Sequence, residues 1–63
     1  MYINIISNEG HIFTWNNVIS IEVVIDKYND KQLKIVWYSK EMCKMTDFVY
    51  FSDFKTFKIG NYK

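Results

Sequence analysis

One cysteine, Cys43, stands between Lys40 and Lys44. Ammonium groups favour the thiolate, the form of cysteine that acts as a nucleophile or redox sensor. A nucleophile also needs a base held within hydrogen-bond reach. The single histidine, His11, lies in a different predicted strand, and nothing in the spacing joins it to Cys43. A zinc ion held by one Cys and one His from each of two subunits satisfies ligand count alone. Three carboxylates, Glu22, Asp26 and Asp30, suggest acid/base work or a divalent cation. On a strand, however, the four-residue step from Glu22 to Asp26 spans about 13 Å, too far for shared coordination. The two glycines, Gly10 and Gly60, do not make a phosphate loop, and no Ser/His/Asp arrangement is indicated. The expectation is a protein without catalytic residues, metal or cofactor, in which Met42, Cys43 and Met45 serve as soft apolar filler.

A second candidate chemistry is stacking. Trp37, Tyr38, Lys40, Phe54, Lys55, Phe57, Lys58, Tyr62 and Lys63 interleave aromatic rings with lysines, the pattern of a platform for single-stranded nucleic acid. Trp37, Lys40, Lys55 and Lys58 would carry it. Charge opposes this: the net charge is only +1, and Glu41, Asp47 and Asp53 sit among those lysines. Non-specific affinity for nucleic acid rests on neutralising several phosphates, so nucleic-acid binding by a small barrel stands as the alternative function.

The elements that would position these groups read as strands throughout. Tyr2 to Ser7 is followed by Asn8-Glu9-Gly10, a three-residue connection whose glycine suits a left-handed hairpin position. His11 to Trp15 returns, and Asn16-Asn17 supplies residues that tolerate turns. Val18 to Asp26 sets Ile19, Ile21, Val23 and Ile25 on one face; Gln32 to Ser39 sets Leu33, Ile35 and Trp37 on one face. Tyr28-Asn29-Asp30 makes them a hairpin. Lys40 to Thr46 is irregular, 47–52 is a strand, and Thr56 to Ile59 is a short strand with Phe57 and Ile59 inward, a one-turn helix being the alternative. The expected fold is all-β: one domain over 1–63, a five- to six-stranded antiparallel meander curled into an SH3-like or split barrel. One short helical turn is allowed near 42–46 or 52–57.

Composition explains why such a chain needs company. Sixty-three residues bury only about 60% of the surface of the unfolded chain. One cysteine excludes an internal disulfide, so oligomerisation is the remaining way to add stability. The strand 47–52, Asp-Phe-Val-Tyr-Phe-Ser, is apolar on both faces, and Val23-Val24-Ile25 and Ile35-Val36-Trp37-Tyr38 share that property. Val49 and Phe51 are assigned to the core. Val24, Val36, Tyr38, Phe48 and Tyr50 are assigned to a partner-binding surface, because large exposed apolar patches are uncommon on monomers. Asp47, Asp53 and Lys55 flank the strand as gatekeepers against aggregation.

The chain lacks Ala, Arg and Pro, and Ile, Lys, Asn, Tyr and Phe supply 33 of its 63 residues. Codons for these types are rich in A and T, pointing to an AT-rich bacterial genome or one of its phages. The apolar run Tyr2 to Ile6 is too short for a signal peptide, and no segment has the length of a membrane span. The functional expectation is a cytoplasmic protein–protein interaction module, a homodimer or larger homo-oligomer. It is a phage or mobile-element accessory that inhibits a host protein, in its specific form a defence protein, by occupying its surface.

Overall fold

The computed structural model describes residues 1–61 and consists of six strands and one helical turn. The strands are β1 (Tyr2–Ser7), β2 (Ile12–Trp15), β3 (Val18–Ile25), β4 (Lys31–Tyr38), β5 (Lys44–Tyr50) and β6 (Phe54–Gly60). A 3₁₀ turn, Phe51–Asp53, separates the last two. The protein is therefore a small all-β fold. Among the described residues, no helix is long and apolar enough to cross a membrane.

The strands divide into two antiparallel sheets of order β2-β1-β6 and β3-β4-β5. Only the second is the simple meander expected. β6 turns away from β5 and pairs with β1 from Tyr2↔Gly60 to Ser7↔Phe54, while β2 pairs with β1 and not with β3. The 3₁₀ turn accounts for this change of sheet: three residues of tight backbone let the chain leave β4 and cross to β1. Of the two alternatives for 56–59 the strand is found, and it begins earlier, at Phe54; the short helical turn allowed near 52–57 occurs as the 3₁₀ turn at Phe51–Asp53, and no helical turn occurs at 42–46.

Four of the five connections between strands use a residue in the left-handed backbone region. Gly10 has φ 88°, Asn17 56° and Asn29 66°; the fourth such residue is Met42 at 62°. Glycine and asparagine tolerate this conformation, whereas it is uncommon for methionine. Around Met42, the Ser39 amide donates to the Cys43 carbonyl and the Met42 amide to the Ser39 carbonyl, each at 2.9 Å. The turn thereby closes early enough for β5 to begin at Lys44, three residues before the strand expected from the sequence.

The core lies between the sheets. Ile3 and Ile5 of one sheet meet Leu33 and Ile35 of the other, with Val18 and Phe54 completing the buried cluster. Val49 and Phe51 are half-buried against it, as the alternation of 47–52 requires. Phe51 and Phe54 pack with ring centroids 5.1 Å apart, and Phe54 and Phe57 meet edge-to-face at 5.9 Å.

The face expected for the start of β3 is corrected. A register shift between Val18 and Ser20 inserts one extra residue, so Val18 enters the core and Ile19 is exposed. A bulge of this kind exchanges faces from that point back along the strand. Phe57 and Ile59 share a face with Ile5 and Ile3, as expected, yet both remain exposed because β6 is an edge strand.

Tyr2 stands directly opposite Gly60, and a Cβ at Gly60 would overlap the Tyr2 ring. Tyr2 thus covers a gap that the glycine leaves in an edge strand. Gly60→Ala is expected to cost about 1–2 kcal/mol by forcing the ring away. Urea unfolding measures this, and an unchanged midpoint would show that the ring position contributes nothing.

Candidate functional site

The sites suggested by the titratable groups come apart in three dimensions. Cys43 is a free, exposed thiol in the β4–β5 turn. Its amide donates to Ser39 Oγ at 3.2 Å, and its Sγ lies 4.0 Å from the Glu41 carbonyl. His11 belongs to the β1–β2 turn of the other sheet, where its amide donates to Ser7 Oγ at 3.1 Å and its carbonyl accepts from the Ser7 amide at 2.8 Å. Among the described residues, no three His, Cys, Asp or Glu side chains are grouped to hold a metal.

Asp26 organises a turn. Its Oδ1 accepts from the amides of Tyr28 and Asp30, both at 2.9 Å, and its Oδ2 accepts from Gln32 Nε2 at 3.4 Å. Such side-chain to backbone bonds are the usual reason for Asp at a hairpin.

The most organised polar contact involves a residue expected only to guard a strand end. Asp47 stands opposite Ile35 on β5 and faces the core side of its sheet. Its Oδ2 accepts from Trp15 Nε1 at 2.9 Å and from Trp37 Nε1 at 2.8 Å. One carboxylate oxygen thus satisfies both indole N–H groups of the chain, one on β2 and one on β4, and ties the two sheets together. All three side chains are half-buried. A signal for this was present: Asp47 shares the parity of Val49 and Phe51, and an inward carboxylate requires donors.

Beside this tie, Trp15, Trp37 and Tyr38 line a cleft of about 290 Å³, bordered by Thr14, the Asn16-Asn17 turn and Lys40. Two hydrogen bonds hold its shape: the Tyr38 amide donates to the Asn17 carbonyl at 3.1 Å, and the Thr14 side chain donates through Oγ1 to Asn4 Oδ1 at 2.7 Å. Of the four residues proposed for nucleic acid, Trp37 and Lys40 border this cleft. Lys55 and Lys58 lie on β6 in the other sheet, with Lys58 opposite Asn4 on the face away from the core. The four therefore do not form one platform, and Tyr62 and Lys63 lie outside the described residues.

The partner-binding set is placed more coherently. Val24, Tyr38, Phe48 and Tyr50 lie on the outer face of the β3-β4-β5 sheet. Phe48 is 55% and Tyr50 41% exposed, Tyr38 is exposed, and Val24 is half-buried. Val36 is the exception and corrects the expectation: it shares this face but is only 6% exposed. As a short side chain on the middle strand, with Ser20 and Thr46 beside it in register, it is flanked by a strand on each side and has little surface left to expose. The face is also less apolar than the sequence implied, since Lys34 stands opposite Phe48 and Gln32 opposite both Tyr50 and Val24.

The aliphatic face of β3, expected to be interior, is corrected at its far end, where it forms a second uncovered apolar surface. Val23 and Ile25 lie on the core-facing side of β3, yet they are 59% and 58% exposed. The opposite sheet covers Leu33 on the middle strand and stops short of the end of β3. Against models of known families, curated proteins and solved structures, the chain has no match.

Proposed function

We propose that the protein is a non-enzymatic interaction module that pairs with a second copy of itself along the edge of β3. The observation that supports this is the state of that edge. β3 is an eight-residue edge strand with a single charged residue, Glu22, and it leaves Val23 and Ile25 in water. Natural edge strands are normally short or protected by charge. The other edges follow that rule: β2 has four residues, β5 carries Lys44 and Asp47, and β6 carries Lys55 and Lys58. Antiparallel pairing of two β3 strands about a two-fold axis would satisfy their free backbone groups and set Val23 and Ile25 against their counterparts.

In such a dimer the outer face with Val24, Tyr38, Phe48 and Tyr50 stays available for another protein. Its mixture of aromatic and polar side chains suits a non-obligate interface. The weight of Ile, Lys, Asn, Tyr and Phe, residue types with A/T-rich codons, supports a phage or mobile-element accessory, acting in the host cytoplasm by occupying the surface of a host protein, a defence protein being the specific version.

Light scattering after gel filtration tests the first step. The wild type is expected at twice the 7.7 kDa chain mass, and Val23→Lys with Ile25→Lys at the chain mass. Tyr50→Lys should keep the dimer and lose capture of the host protein. A wild type that stays at the chain mass at several hundred micromolar would overturn self-association.

A further inference from the structure

The cleft beside the Trp15–Asp47–Trp37 tie has the chemistry of a ligand site. Both indole N–H groups are already bonded to Asp47, so what the tryptophans offer a ligand is apolar ring surface. Tyr38 and Lys40 border it, and Lys40 supplies a cation there. Lys40 is exposed and forms no ion pair among the described residues. Aromatic surface stacks on planar π-systems whatever their substituents, and an unpaired ammonium selects an anion. A volume of about 290 Å³ stands at the small end of the range for ligand pockets. It admits one ring system with its substituent.

We propose that this cleft binds a planar aromatic ring carrying one anionic group, the chemistry presented by a nucleoside monophosphate. A free mononucleotide fits better than a unit of a strand. The cleft has one cation, the next residue is Glu41, and the whole chain carries only +1. A strand needs several phosphates neutralised to be held. The tie preorganises the site, since Asp47 fixes the positions of both indole rings before any ligand arrives.

The test uses the fact that both tryptophans of the chain line the cleft, so their emission reports on it alone. Adenosine 5′-monophosphate is titrated against the full chain with excitation at the red edge of the tryptophan band. Adenosine, ribose 5-phosphate and a short oligoadenylate are run in parallel. The expected result is saturable quenching by the monophosphate, about fivefold weaker with adenosine and about fivefold weaker for Lys40→Gln. Ribose 5-phosphate should have no effect. Lys40 is exposed, so the variant keeps its fold, and far-ultraviolet circular dichroism verifies this. Tighter binding of the oligoadenylate, falling steeply with salt, would support the same ring-plus-anion chemistry with a strand as its source. No saturable change at millimolar monophosphate, or equal affinity in Lys40→Gln, would overturn the proposal.

Discussion

Asp47→Ala is expected to remove about 3 kcal/mol of stability, the loss of two charge-assisted hydrogen bonds together with the desolvation of the donors they satisfied. Trp15 and Trp37 both donate to the same Asp47 oxygen. Deleting the carboxylate therefore strands two half-buried indole N–H groups at once. The effect is large against the whole: a 63-residue domain holds only about 3–9 kcal/mol in total. Asp47→Asn keeps a carbonyl oxygen able to accept and should lose roughly half as much. Urea unfolding followed by tryptophan emission measures both. A loss below about 1 kcal/mol in Asp47→Ala would mean that water replaces the carboxylate and the tie adds little.

Ile35→Ala is expected to cost about 3–4 kcal/mol, within the range for deleting a fully buried aliphatic side chain. Ile35 is 0% exposed at the centre of the middle strand, between Ile21 on β3 and Asp47 on β5. The core has too few large side chains to collapse into the space it vacates. The informative comparison is Val23→Ala on the same sheet face. Val23 is mostly exposed in the monomer, so its truncation should cost under about 0.5 kcal/mol at low protein concentration. Its cost should rise with concentration if β3 pairs between copies, because binding stabilises the folded state by mass action. Equal costs for the two variants at low concentration would contradict the burial contrast on which both the core and the exposed edge depend.

Much of the architecture was legible because local chemistry dictated it. Gly10, Asn17 and Asn29 lie in turns that need left-handed backbone, and the alternation of Leu33, Ile35 and Trp37 fixed the inner face of β4. What escaped were the features set by non-local geometry. The division into two sheets depends on β6 pairing with β1 rather than β5, a choice that no local pattern carries. The bulge at Val18 to Ser20 inverted the face of Ile19, since periodicity reports parity but not insertions. Val36 shows the limit of a two-face rule: on a middle strand, a short side chain is buried on the outer face too. For the cleft, the aromatic–lysine pattern points to Trp37 and Lys40 but not to Trp15, and only the fold brings all three to one place. Asp47 was legible in principle. Its parity placed it inward, and the two tryptophans were the donors available to meet it.

The pairing of β6 with β1 also constrains the order in which the molecule is assembled. The β3-β4-β5 sheet draws on neighbouring segments and has all its strands once residue 50 has been made. The β1–β2 hairpin cannot gain its third strand until residues 54–60 follow. A lone hairpin is marginal in water, and contacts between distant segments form slowly because a long loop must close first. During synthesis, Ile3 and Ile5 therefore wait with one flank of their sheet open. Their least protected moment falls just before β6 arrives.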